Sequence, residues 1–284
     1  MPLTKIKDLK RASQADIRKA LDQVHVIPRL DSYLEDMNLE PYPKRMGVFS
    51  ASDIGSQGGK SLCGKFVMGC ARVLYYRYCG VEPRQMIKPR IRRIFGTGTA
   101  IHEQIQGYLE KIAEASEGTE VFELEKTVNE TNSKVAKKYE ITSTTDGVWS
   151  LIRNKKLGFR FVLEIKSMKG ELFQKLNGPK SEVIVQSNIY MACLDVPFCT
   201  ILYYNKNDST WVEYPEVFQQ EVWDAVVAKI NFVREAAVNE EPPPRETGFH
   251  CKECRYNFIC KPPKAQRKDV AIGRKRFRMT GGMQ

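Results

Sequence analysis

Apolar side chains recur every three to four residues over 15–24, where Ile17, Ala20, Leu21 and Val24 share one face, and this spacing predicts a helix. Pro28, Pro41 and Pro43 interrupt the next stretch, and SASDIGSQGGKSLCG (50–64) has the composition of a loop. A second helical stretch covers 66–78 and is ended by Gly80 and Pro83. A third is expected to open after the run GTGT, which caps it, with Ile101, Ile105, Leu109 and Ile112 along one side. The period then shifts to two. Segments 121–128, 139–145, 148–152 and 160–166 read as strands, with turn signals at Asp146-Gly147 and Asn154. A helix over 181–194, strands over 199–205 and 211–214, and a long amphipathic helix over 218–239 complete the series. This order predicts an α/β fold: a mixed central β-sheet flanked by helices, with both ends of the chain adding peripheral structure.

Composition narrows the class. The chain has 284 residues, 42% hydrophobic and 28% charged, the balance of a globular protein that needs no disulfides to hold its core. The best apolar run, 183–198, is shorter than the ~20 residues of a membrane span and contains Gln186, Asn188 and Asp195, so no membrane partner is expected. The opening MPLTKIKDLKRASQ has no apolar stretch after its lysines. A secretory signal is therefore not expected, and a cytoplasmic location is (host cytoplasm if the chain is viral). The formal net charge is +11, and after Cys260 eight lysines and arginines stand against Asp269 alone. Such a basic tail, 263–284, is either a handle for polyanions through counterion release or a solvated extension.

Candidate chemistry lies in two places. Of the eight cysteines, Cys193 and Cys199 sit among apolar neighbours as small hydrophobes, whereas Cys251, Cys254 and Cys260 crowd into HCKECRYNFICKPP between prolines. Three thiolates aimed from a short loop suit a metal but leave a tetrahedral site incomplete, so a fourth ligand is needed from elsewhere; His250, adjacent to Cys251, is poorly placed to share its metal, although it could substitute. The alternative is three structural cysteines. In VLEIKS, Glu164 and Lys166 leave one face of a strand and Leu163 and Ile165 the other, so the charged pair is expected to point away from the packed face. Asp146 ends an earlier strand, and two acids with a lysine could hold Mg²⁺ and activate a water. Asp146-Gly147 also reads as a hairpin turn, and Glu164-x-Lys166 as a solvated pair. His102 beside isoleucines, and Gln186 with Tyr190 one turn apart, equally suit structural roles.

Taken in order, Gly98-x-x-x-His102, Asp146, Glu164-x-Lys166 and Gln186-x-x-x-Tyr190 resemble the RecB-like branch of the PD-(D/E)XK nuclease superfamily. CARVLYYRYCG from Cys70 resembles that branch's C-P-R-x-x-Y-Y element, and C-x-x-C-x5-C with Tyr256 its carboxy-terminal triplet. These additions are similar to the iron–sulfur-bearing members, the CRISPR-associated RecB-like exonucleases and the AddB nuclease domain. The resemblance implies a helical or irregular lead-in over 1–60, a restriction-endonuclease-like core over 61–240, and a cluster-binding segment over 241–262 that joins Cys70 and so links the two ends of the chain. It implies that His102, Asp146, Glu164 and the Ile165 carbonyl hold Mg²⁺ or Mn²⁺, and that Lys166 positions the attacking water. Gln186 and Tyr190 would support the site or touch the scissile strand. Cys70, Cys251, Cys254 and Cys260 would hold a [4Fe–4S] cluster, with Zn²⁺ as the alternative and Cys63 and Cys79 as rival fourth thiolates. Ala71 and Thr145 stand where the family has proline. The implied function is a metal-dependent DNA nuclease, an exonuclease on single strands or duplex ends, with recombination or replication proteins as partners. The alternative is a non-cleaving nucleic-acid- or partner-binding protein. Tyr75, Tyr76 and Tyr78, interleaved with Arg72 and Arg77, would either stack on a bound strand or pack on the cluster helix.

Overall fold

A computed structural model describes residues 13–21, 26–39, 46–84 and 87–260; the basic tail lies outside the described residues. The described chain falls into two compact units, one drawn from Met1–Pro41 and Gln85–Gly96, the other from Tyr42–Arg84 and Thr97–Gln284. In the first, helices α1 (Gln14–Leu21) and α2 (Ile27–Asp36) lead in, and Asn38 bonds Ile87 and Arg92 through its side chain.

The second unit holds the sheet. Short α3 (Ala51–Ile54) is capped by Ser50, and the hairpin of β1 (Gly59–Lys60) and β2 (Val67–Met68) leads into α4 (Ala71–Tyr78), with Cys70 at its N-cap. The helix expected over 66–78 is therefore shorter, because 67–68 pair with the preceding strand. Helix α5 (Pro89–Ala115) begins well before GTGT and runs through it. The run is no cap: a glycine costs a helix only about 1 kcal/mol relative to alanine, and extending a formed helix adds a bond per residue.

Next come β3 (Glu120–Leu124) and β4 (Thr127–Val128), separated at Glu125, whose φ of 45° breaks the strand expected over 121–128. Most of 139–145 is not strand either. Ser133 caps α6 (Lys134–Tyr139) by accepting the Ala136 N–H, Glu140 ends it in the left-handed region, and only β5 (Ser143–Thr144) pairs, with β4. Strands β6 (Gly147–Arg153) and β7 (Lys156–Met168) form a hairpin whose turn, Asn154-Lys155, has both φ positive, as the turn signal required. Asp146-Gly147, by contrast, is not a turn: Gly147 opens β6, and the Phe122 ring fills the space a side chain would need.

After α7 (Gly170–Phe173), helix α8 (Ser181–Leu194) crosses to β8 (Phe198–Asn205), which pairs parallel to β7; β9 (Trp211–Val217), α9 (Gln220–Val238) and α10 (Asn257–Cys260) complete the described chain. The sheet order is β3-β6-β7-β8-β9, antiparallel except at β7–β8. This is a mixed five-stranded sheet covered on both faces. Ile101 and Ile105 of α5 pack on Leu163 and Ile165, while Val162, Ile201 and Tyr203 join the larger core with α8 and α9. Among the described residues no helix is long and apolar enough to cross a membrane.

Candidate active site

Where β6 and β7 part, several elements converge. Asp146 stands one residue ahead of β6, and its carboxylate Oδ2 accepts the Ile165 N–H of β7 at 2.6 Å. Its Oδ1 lies 3.0 Å from His102 Nδ1 on α5, and its backbone carbonyl accepts Gln106 Nε2 at 2.8 Å. His102 and Gln106 are one helical turn apart, so a single face of α5 grips both ends of this aspartate. Glu164 and Lys166 leave β7 toward α8 and form an ion pair. Lys166 Nζ also donates to Gln186 Oε1 at 3.1 Å, and Gln186 Nε2 donates to the Tyr190 hydroxyl at 3.2 Å. That hydroxyl donates to the Thr144 carbonyl at 2.7 Å, with the Ser143 hydroxyl 3.2 Å away. Two bonded sets thus lie side by side, His102 with Asp146 and Glu164 with Lys166, Gln186 and Tyr190, and the Asp146 charge is felt at Glu164.

Its electrostatics come from burial. Glu164 is 2% exposed, contrary to the expectation that the pair leaves the packed face: α8 covers that side as α5 covers the other. Its carboxyl is raised to about 7: burial pushes it up, the Lys166 ammonium pulls it back, and the Asp146 charge adds to the rise. For Lys166, burial acts to lower the pKa, but the charges of Glu164 and Asp146 outweigh it and hold the ammonium above its ordinary value. Burial raises the Tyr190 phenol, which keeps its proton and remains a donor to Thr144.

A second pocket is lined by Cys70, Cys251, Cys254 and Cys260, with Arg72 and Glu246 beside them. Cys63, exposed in the β1–β2 connection, and Cys79, just past α4, do not line it. All eight cysteines are free thiols; burial raises Cys70 and Cys254, and pushes Cys193 and Cys199 up to about 12 as small core residues. Protein bonds also join the two ends of the chain here. Arg72 Nε donates to the Pro243 carbonyl at 2.6 Å, the Arg84 N–H to the Arg255 carbonyl at 3.0 Å, and the Tyr256 hydroxyl to the Val81 carbonyl at 3.2 Å.

Among the described residues no three His, Cys, Asp or Glu side chains already stand in metal-holding geometry. The donor chemistry nonetheless fits. Two carboxylates and an imidazole suit a hard divalent ion, and crowding Asp146 against a buried Glu164 leaves negative charge that a cation relieves. Four thiols at one pocket suit iron–sulfur or zinc.

Stacking of a nucleic-acid strand on the α4 tyrosines is overturned. Tyr75 and Tyr76 are buried, with Tyr76 against Tyr256, while Tyr78 stacks on Phe49 and donates to Glu140 at 2.9 Å. Arg77 pairs with Asp53 and Arg72 with the thiol pocket, so neither is a free phosphate contact. Sequence reasoning missed Gln106, whose signal was its place one turn after His102. It also missed Lys229, a lysine inside the apolar stripe of Val222, Val226 and Val233.

No protein-family model and no curated protein matches the chain. Among solved structures it is similar to the protein SSO0001, at 18% identity and TM-score 0.46, covering 84% of this chain and 98% of that one. It is also similar to an alkaline exonuclease from Laribacter hongkongensis, at 15% identity and TM-score 0.45, covering 74% and 93%. The same exonuclease in complex with dAMP gives 14% identity, TM-score 0.45, and 68% and 89% coverage. Likenesses of this size bear on neither the family nor the activity of this chain.

Proposed function

We propose that this chain is a divalent-metal-dependent deoxyribonuclease, acting as an exonuclease on single strands or duplex ends, with a [4Fe–4S] cluster tying its two ends together. One observation carries the reading: a carboxylate that is 2% exposed, crowded by a second acid, and paired with an ammonium on the same strand. A solvated strand pair has no such burial, and a purely structural ion pair has no reason to include a second acid and an imidazole. Asp146, Glu164, His102 and the Ile165 carbonyl are the residues that would hold Mg²⁺ or Mn²⁺. A divalent ion there supplies Lewis-acid polarisation of the phosphoryl oxygen and a water of lowered pKa.

The chain's own residues supply the rest. Asp146 is fixed by Ile165 and Gln106, and His102 is oriented by Asp146. Lys166, held charged between Glu164 and Gln186, orients the water for in-line attack on phosphorus and offsets charge that develops as the 3′ oxygen leaves. Tyr190 anchors Gln186 and so fixes the lysine. Cys70, Cys251, Cys254 and Cys260 would hold the cluster, and their lining of one pocket supports that set over one containing Cys63 or Cys79.

End-labelled DNA, single-stranded and duplex, incubated with each divalent metal tests the activity. The wild type should degrade it with Mg²⁺ or Mn²⁺. Lys166→Ala should lose about 10²–10³-fold in rate, the range for removing a donor that stabilises developing charge, while DNA affinity in Ca²⁺ is unchanged. Binding without cleavage by the wild type would favour the non-cleaving reading, and undiminished cleavage by the variant would move the active site elsewhere. An iron and sulfide assay on protein purified without oxygen decides between cluster and zinc.

A further inference from the structure

We propose that Lys229 and Arg72 are the cations that balance a thiolate-bound iron–sulfur group in the cysteine pocket and raise its reduction potential. This rests on the cluster reading of that pocket. Lys229 lies on α9 in a stripe of buried apolar residues and is itself 1% exposed. A buried ammonium costs several kcal/mol unless it is met by partners. Its Nζ donates to the Lys60 carbonyl at 2.8 Å and stands 3.3 Å from Glu246 Oε1. That carboxylate oxygen also accepts the N–H of Ala71 at 3.0 Å, the residue next to Cys70, and Glu246 itself lines the thiol pocket. Arg72 reaches the pocket directly, its Nη1 3.4 Å from the Cys260 carbonyl and 3.5 Å from Cys260 Sγ.

Nothing in the proposed hydrolysis uses these two cations. As a mere tie between segments they would be a poor solution, since apolar side chains in place of a buried ion pair are often neutral or stabilising. Counted with the single carboxylate of Glu246, Lys229 and Arg72 leave one net positive charge at the pocket, to which Arg245, also on its lining, adds a second. Four thiolates around a four-iron core give a group of about 2− net charge, which is the anion this surplus fits. A nearby cation and a donor to a ligand sulfur both favour the more negative, reduced form, so both raise the potential.

The test uses the full chain purified without oxygen, as wild type, Lys229→Met, Arg72→Gln and Glu246→Gln. Iron and sulfide content is measured first. The potential is then read spectroscopically in a mediated titration with dithionite as the electron donor. Lys229→Met and Arg72→Gln should move the potential to more negative values. Glu246→Gln, which removes the opposing charge, should move it to more positive ones. General damage to the pocket cannot produce shifts of opposite sign. If Lys229→Met fails to keep its iron, the other two variants decide. Potentials unchanged, or all displaced in one direction, overturn the proposal while leaving the cluster intact. A wild type without iron and sulfide overturns the cluster reading and this proposal with it.

Discussion

Ionising Glu164 costs more in the folded chain than in the unfolded one, because burial outweighs the attraction of Lys166. Its folded pKa, about 7, lies above the ordinary 4.5, so the folded state holds the proton more tightly. The stabilisation this gives is full below about pH 4.5 and is lost as the pH rises through about 7. Glu164→Gln cannot ionise and escapes that loss. Without added metal, the melting temperature of the variant should gain on that of the wild type by a few degrees as the pH rises from about 4.5 through 7, on top of a constant cost for leaving Lys166 without its carboxylate. Thermal unfolding across this pH range in EDTA checks it; parallel curves would mean that the buried carboxylate is not strained. The same variant should be inactive on DNA.

At the scale of elements, the thiol pocket depends on how closely α4 approaches α3. Gly69 donates its N–H to the Ile54 carbonyl at 2.7 Å, and a Cβ there would run into the Asp53 carbonyl oxygen, which is backbone and cannot swing aside. Gly69→Ala should therefore destabilise the chain by about 1–3 kcal/mol and lower its iron content by displacing Cys70. Urea unfolding with an iron assay measures both; a variant with wild-type stability and iron would show that the approach is slack. Elements of regular period were readable from sequence: α8 matches its expected span, and β8 and α9 differ from theirs only at the ends. What escaped was set by tertiary context. Gly96 and Gly98 read as part of a cap before a helix start, yet α5 passes through them, and β5 is a two-residue strand held by its partner β4. For the site, the order of Asp146, Glu164 and Lys166 was visible, but the packing of α8 that buries Glu164 was not, since strand parity describes one sheet and says nothing of what covers its far face. Lys229 was hidden by its type: a lysine reads as surface until its helical neighbours are counted.

For the whole molecule, the thiol pocket joins residues some ~180 apart in sequence, Cys70 and Cys251. By analogy with a disulfide closing a loop of that size, a bound group constrains the unfolded chain by on the order of 5 kcal/mol. Removing it with chelator and oxidant should lower Tm by roughly 10 °C or more, reduced by the protein bonds from Arg72, Arg84 and Tyr256 that already bridge the two ends. Calorimetry of the loaded and stripped protein reads the difference, and equal melting temperatures would make the pocket a bystander. The central claim is that side chains from α5, the residue before β6, and β7 share one divalent ion. Titration of Mn²⁺ into the wild type and Asp146→Asn, each read by isothermal calorimetry, tests it most directly. Saturable binding in the wild type that is lost or weakened at least about tenfold in the variant is the predicted result; identical binding in both would contradict the account.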